Sequence, residues 1–287
     1  MTTIPIRHIG PDFAGPGFSG SFKIRDLATL LSGKDMIQEL HRHSFFYILV
    51  LEKGAGEHNI DFVPYKIHDR SVFVMRPGQV HRLVLKRGSK GFLVEFTKDF
   101  YAPLEKEASN VLRRVSSKNF CSPDTARFKK IWSVVAAIFE EYNSKQDRYR
   151  EVIRAGLDIF FIQLLRQSKR PKQVSKQNTE YRQGILEHFQ ELIEQHLSEQ
   201  KPVTFYTEQL HLSTYQLNAI TKAMLGKTSS ALIDDQIILE AKRSLLATSD
   251  QVNQIAWQLG YEDPAYFIRF FKKHTGLTPE AFRVKFK

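Results

Sequence analysis

The chain has 287 residues, of which 42% are hydrophobic and 25% charged, with a formal net charge of +11. That length supports about two domains with a core in each. A single cysteine, Cys121, excludes an intramolecular disulfide and suits a reducing compartment. No apolar run reaches the roughly 20 residues that cross a bilayer. No secretory signal pattern opens the chain, so a soluble, cytoplasmic protein without a membrane partner is expected.

Residues 1–21 are rich in Gly and Pro and read as an arm, either a mobile latch or disordered. Short apolar runs then alternate with turn signals. They are Phe45–Leu51, Asn59–Phe62, Ser71–Met75, Leu83–Leu85 and Gly91–Phe96, punctuated by Lys53-Gly54-Ala55-Gly56 and Arg76-Pro77-Gly78. Strands this short predict a small antiparallel barrel or jelly roll over residues 1–100. Within it lie His41-Arg42-His43, His58 and Pro77-Gly78-Gln79-Val80-His81. Alternate residues of a strand share a face, so His41, His43 and His81 can converge.

Residues 101–168 read as a helical region with two amphipathic helices, 124–142 and 149–168. Phe128, Ile131, Trp132, Val135, Ile138 and Phe139 form one stripe; Val152, Leu157, Phe160, Phe161, Leu164 and Leu165 form the other. Residues 169–179, KRPKQVSKQNT, are polar, basic and without periodicity, which predicts a linker. A lone thiol at Cys121 is more simply an inert group than a redox sensor.

The last segment, 180–287, carries a near repeat. Leu217, Lys222, Gly226 and Thr228 recur fifty residues later as Phe267, Lys272, Gly276 and Thr278, and Leu210 and Leu212 pair with Leu259 and Tyr261 at an offset of forty-nine. Each copy predicts a short helix, a tight turn and a second helix, 213–225 in one and 263–274 in the other, with a helix over 229–248 between them. Asp263 is suited to cap the later one with Pro264 behind it, and Gly276 to end it. Such a unit is how a helix-turn-helix enters a major groove. Bulk charge does not carry this reading: residues 1–179 hold a net +12 and residues 180–287 a net −1.

Ile255-Ala256, Leu259-Gly260-Tyr261, Tyr266-Phe267, Arg269, Phe271-Lys272-Lys273, Thr275-Gly276, Thr278-Pro279 and Phe282-Arg283 together resemble the DNA-binding domain of the AraC/XylS family of bacterial transcription regulators. Leu212-Ser213, Leu217, Lys222, Gly226-Lys227 and Glu240-Ala241-Lys242-Arg243 extend the resemblance through the first unit and the linking helix. The departures are Thr207, His211 and Ala219 in the first unit and Ile268, which we read as core, in the second. The resemblance implies sequence-specific binding of double-stranded DNA. Thr214, Gln216, Asn218, Lys222, Ala265, Arg269, Lys272, Lys273 and Thr278 are the contact residues. Arg269, Asn218 and Gln216 suit base edges, and Lys222, Lys272, Lys273 and Thr278 suit phosphate. Thr221 also falls on the first recognition helix.

The HxH, glycine turn and PGQVH loop resemble the cupin-like barrel found at the N-terminus of many such regulators. The fold expected is therefore a multidomain α+β chain, an antiparallel β-barrel followed by helices and an all-α double helix-turn-helix. The family further implies a homodimer, a small-molecule effector in the barrel and contact with RNA polymerase. Arg42, His43, Phe45, Tyr47, His58, His81 and Arg82 are the candidate effector residues. Metal-binding cupins add an acidic residue to their histidines; Tyr47 stands at that position, so neither a metal nor another cofactor is expected. No G-x-S-x-G, H-E-x-x-H or G-x-G-x-x-G is present, and no catalytic residue is assigned. The alternatives are a regulator whose barrel holds no ligand and serves only dimerisation or protein contacts, and a cupin-type metalloenzyme with an appended DNA-binding domain.

Overall fold

The computed structural model describes residues 5–9, 21–101, 106–166 and 176–286. The chain divides into two compact units at residues 170 and 171. Most of the expected arm, and residues 169–175 of the expected linker, lie outside the described residues.

Among the described residues the first unit has ten strands: β1 (Ile6–Arg7), β2 (Phe22–Asp26), β3 (Met36–His43), β4 (Phe46–Lys53), β5 (Gly56–Ile60), β6 (Val63–Ile67), β7 (Ser71–Met75), β8 (Val80–Leu85), β9 (Lys90–Phe96) and β10 (Phe120–Cys121). They form two five-stranded sheets, in the orders β1-β3-β8-β5-β6 and β10-β7-β4-β9-β2. These are two separate hydrogen-bonded sheets, not one closed barrel, and β1 runs parallel to β3 while the other pairings are antiparallel. A short helix, α1 (Leu27–Leu31), follows β2, and its N-cap Asp26 accepts from Thr29 N.

Apolar side chains fill the space between the sheets, among them Phe45, Tyr47, Leu49, Leu51, Phe73, Leu83 and Leu93. The outer face of the second sheet is buried too. Ile48, Val50, Val72, Val74 and Val94 pack in one cluster with Phe128, Ile131, Val135 and Ile138 of α3 (Thr125–Ser144) and Leu157, Phe160 and Phe161 of α4 (Tyr149–Leu165). Burial on both faces is why β4 reads as an unbroken apolar run with no alternation. Both expected helices are present, with one correction: Val152 is half exposed, and its neighbour Ile153 takes the buried place. A further helix, α2 (Lys106–Ser116), precedes them. The stretch expected to be wholly helical also contains β10, whose two residues pair with β7.

The described residues of the second unit hold helices and no strand: α5 (Lys176–His196), α6 (Val203–Gln209), α7 (Thr214–Leu225), α8 (Ser229–Ala247), α9 (Val252–Gln258), α10 (Pro264–Thr275) and α11 (Pro279–Phe286). Helix α5 begins inside the segment expected as linker. The core includes Phe189, Tyr206, Leu217, Ile237, Ala241, Leu245, Ile255, Phe267, Phe271 and Phe282. Truncating a buried ring such as Phe271 costs about 3–5 kcal/mol, so this aromatic packing holds the two helical repeats in place. Among the described residues no helix is long and apolar enough to cross a membrane.

Candidate functional site

The sequence repeat is a repeat of hydrogen bonds. Between α6 and α7, His211 N donates to Glu208 O (3.1 Å) and Leu212 N to Thr207 O (2.9 Å). Between α9 and α10, Gly260 N donates to Trp257 O (2.9 Å) and Tyr261 N to Ala256 O (2.9 Å), each forty-nine residues further on. Both turns need a left-handed residue, His211 at φ 53° and Gly260 at φ 72°. The second helix then starts on a side-chain cap. Ser213 accepts from Gln216 N in α7, and Asp263 accepts from Ala265 N in α10. Both helices end on a left-handed glycine, Gly226 and Gly276. Thr228 and Thr278 then cap α8 and α11, accepting from Ala231 N and Ala281 N at 3.2 Å each.

Helix α7 buries Leu217, Ile220 and Thr221 and leaves Thr214, Tyr215, Gln216 and Lys222 exposed. Helix α10 buries Phe267 and Phe271 and leaves Ala265, Tyr266, Arg269, Lys272 and Lys273 exposed. Two equivalent helices therefore carry their polar residues on the side away from the core. Arg269 lies 3.6 Å from Asp263, both well exposed; such a surface pair is weak, so the guanidinium can exchange it for a ligand.

Three assignments on this face change. Thr221 is fully buried and does not belong to the exposed side. The Asn218 Oδ1 accepts from both Ser229 N (2.8 Å) and Ser229 Oγ (2.9 Å). A bidentate adenine contact needs that oxygen and the amide nitrogen together, so Asn218 acts as a strut between α7 and α8. Gln216 Oε1 accepts from Ser213 N (2.9 Å) and Ser213 Oγ (3.0 Å), closing a capping box, and must release that oxygen before it can read a base in the same way. Thr278 Oγ1 accepts from Ala281 N as an N-cap, which leaves its O–H proton free to donate to a phosphate. Ile268 is half buried, in keeping with a core role.

Sequence reading missed Tyr215 and Tyr266, which are 83% and 55% exposed. On a helical wheel Tyr215, two residues before the buried Leu217, faces outward, and Tyr266, one residue before Phe267, lies on the flank beside Tyr261.

In the first unit the strands bring four imidazoles together. His41 and His43 share the inner face of β3, His81 is the register partner of His41 on β8, and His58 lies on β5, whose Ile60 pairs with His81. All four are buried. His43 Nε2 lies 2.7 Å and His41 Nε2 3.0 Å from His81 Nε2, while His58 Nε2 lies 2.7 Å from His81 Nδ1. Burial strips their protons. It holds His41 at about 4 and His43 and His58 at about 3, and drives His81 well below its ordinary value. Four neutral rings result at physiological pH.

Beside them is a cavity of about 230 Å³ lined by Arg7, Arg25, Gln38, Phe45, Tyr47, Glu95 and His43 among others. Four of these side chains keep a buried polar atom without a hydrogen-bond partner among the described residues: Arg25 Nε, Gln38 Oε1, His43 Nδ1 and Tyr47 OH. Arg25 Nη2 also binds Glu95 Oε2 at 2.9 Å. Burial raises the Glu95 carboxyl, and the neighbouring Arg25 partly offsets the rise.

Of the expected effector residues, His43, Phe45 and Tyr47 line this cavity, and His58 and His81 sit behind it in the imidazole cluster. Arg42 and Arg82 do not line it. They occupy the alternate strand positions, between His41 and His43 and between His81 and Leu83, and Arg82 pairs outward with Glu39 at 3.2 Å. Arg25, Gln38 and Glu95 were missed; a lone carboxylate within the apolar run of β9 is the signal that marks Glu95, and no comparable signal marks the other two.

The geometry is that of a protein with one unit shaped to hold a small molecule and another that presents paired helix-turn-helix units. The matching families say the same: an AraC-like ligand binding domain matches residues 34–155 and a helix-turn-helix domain residues 206–285. The chain belongs to the AraC family of transcriptional regulators. It is 24% identical over 258 residues to the uncharacterized HTH-type transcriptional regulator YfiF of Bacillus subtilis, covering 86% of this chain and 79% of the relative. It is 24% identical over 261 residues to the transcriptional activator RhaS of Pectobacterium atrosepticum, covering 85% and 86%. A solved structure, the C-terminal domain of the response regulator yesN from Fusobacterium nucleatum, is 32% identical over 35% of this chain and 98% of its own, with a TM-score of 0.34.

Proposed function

We propose that the protein is a homodimeric, cytoplasmic, effector-responsive regulator without catalytic activity, which reads double-stranded DNA with α7 and α10. The single observation that carries this reading is the equivalence of these helices. Each follows the same turn, buries the same side and leaves its polar side outward. On B-form DNA they enter major-groove faces about one helical turn, ~34 Å, apart. Arg269 supplies the base contact, Thr214 and Ala265 sit at the helix starts near the bases, and Lys222, Lys272 and Lys273 bind phosphate. Tyr215 and Tyr266 add apolar contact with the groove.

The cavity beside the imidazoles is the effector site. Buried polar atoms without partners are costly, and four around one cavity favour a polar occupant over a ligand-free fold. Val152, Ile159 and Ile162 are 40–50% exposed on α4, and this apolar stripe suits a second copy of the chain. RNA polymerase is the further partner of a regulator that activates. Recovery of genomic fragments by the full-length protein, with Arg269→Ala beside it, tests the proposal: fragments sharing a motif that the variant loses are expected, and sequence-blind recovery by both proteins overturns it.

A further inference from the structure

We propose that His41, His43 and His81 form a binding site for one divalent transition-metal ion through their Nε2 atoms, with His58 as the positioning residue that holds His81. The ligand atoms of the three buried rings all lie within 4.8 Å of one another.

Counting protons favours a cation at this point. His41 Nδ1 lies 2.7 Å from the Glu39 carbonyl oxygen, which only accepts, so that nitrogen carries the proton and His41 Nε2 is a bare lone pair. Its 3.0 Å contact with His81 Nε2 then needs the single His81 proton at Nε2. His43 Nε2, 2.7 Å from the same atom, must share that proton as a second lone pair. The His81 proton is thus divided between two acceptors, and His43 Nδ1–H and His58 Nδ1 stay buried without partners among the described residues.

A cation removes the conflict at His81. Three lone pairs converge on the ion, and the His81 proton moves to Nδ1, where it donates to His58 Nε2 at 2.7 Å. That second contact is what orients a ligating imidazole and fixes its tautomer. An all-nitrogen donor set suits zinc, nickel, cobalt or copper over magnesium or calcium. Zinc at roughly 2.0–2.1 Å from each nitrogen sets neighbouring ligand atoms about 3.3 Å apart, so the two contacts with His81, at 2.7 and 3.0 Å, lengthen by about 0.3–0.6 Å to admit it.

The site departs from a metal centre with a carboxylate. Tyr47, whose ring stacks on His43 at 5.0 Å and 13°, stands where an acidic ligand is lacking. The ion keeps its full charge, and because His43 also lines the cavity, that charge lies beside it. This placement extends to the cavity but does not depend on its being an effector site.

The test uses tag-free full-length protein stripped with a chelator, given one equivalent of zinc, desalted and analysed for metal. About one zinc per chain is expected, with a Cys121→Ser variant retaining it. His41→Ala and His81→Ala should each lose it, with far-UV circular dichroism and DNA binding monitoring the fold. Cobalt loaded in place of zinc reads the positioning role. His58→Phe should weaken cobalt affinity about 10- to 100-fold and shift its visible absorption, and His58→Gln, which keeps an acceptor, should restore both in part. Stripped wild-type protein that takes up no zinc overturns the proposal whatever the variants do, as does undiminished uptake by folded His81→Ala.

Discussion

Asn218 and Ser229 join the first recognition helix to the linking helix: one carboxamide oxygen accepts from the Ser229 backbone at 2.8 Å and from its hydroxyl at 2.9 Å. Fifty residues on, the equivalent pair is Ile268 and Pro279. Proline has no N–H to satisfy, so the second unit needs no acceptor there, and an apolar side chain takes the place. The two copies solve one junction differently, and each solution is self-consistent.

Asn218→Ala removes the acceptor and leaves the Ser229 N–H of a buried residue without it. A loss of about 1–3 kcal/mol is expected in urea unfolding. Asn218→Asp keeps the oxygen and adds charge at a helix N-terminus, so its loss should be much smaller. Neither should alter the preferred DNA sequence. A changed motif in a selection experiment would return Asn218 to the base-reading set.

His211 and Gly260 occupy equivalent turns but differ in tolerance. A Cβ on Gly260 would overlap the Ser198 carbonyl oxygen, so Gly260→Ala should cost more than about 2 kcal/mol and weaken DNA binding through the displaced turn. His211→Gly relieves a left-handed side-chain residue and should raise stability by about 0.5–1 kcal/mol. Chemical denaturation of the two variants decides both signs.

Arg269 is exposed and weakly paired, so Arg269→Ala should leave the unfolding midpoint within about 0.5 kcal/mol. It should lower specific DNA affinity by about 1–3 kcal/mol and relax one position of the motif. Lys272→Ala and Lys273→Ala should instead weaken binding across all sequences and reduce the salt slope by about one each. Titrations at several salt concentrations separate the two behaviours.

Burial raises the Cys121 thiol from 9.0 to about 12. Only the thiolate reacts, so alkylation by iodoacetamide at pH 8 should run about a thousandfold slower than for an unperturbed thiol. The rate should climb tenfold per pH unit up to the alkaline limit of folding. Rapid labelling near neutrality would instead mark a reactive, sensor-like cysteine.

Local signals made the C-terminal unit legible. Asp263-Pro264, Gly226, Gly276 and the spacing of Leu217 and Phe267 each act within a turn or two, so the helices of both repeats begin and end within one residue of where the sequence places them. The role of Asn218 was not legible in the same way. Its carboxamide suits a base edge and a helix cap equally, and only the approach of Ser229, eleven residues away, decides; Ser213-x-x-Gln216, by contrast, is itself a capping-box pattern. In the N-terminal unit the histidine spacing gave the shared face of His41 and His43. The arginines at 42 and 82 were drawn in by proximity in sequence, although strand alternation sends them the other way. Arg25 and Glu95 belong to strands far apart in the chain, and their meeting depends on the β2–β9 pairing.

Strand β1 has two residues, yet it lies along the edge of β3, pairing Ile6 with Arg42 and Arg7 with His43. An eight-residue strand with an open edge is a template for another chain, and this short parallel cover occupies its histidine-bearing end. The same segment supplies Arg7 to the cavity wall. Displacing β1 would therefore take Arg7 out of the cavity wall and bare the backbone of Arg42 and His43 at the same time.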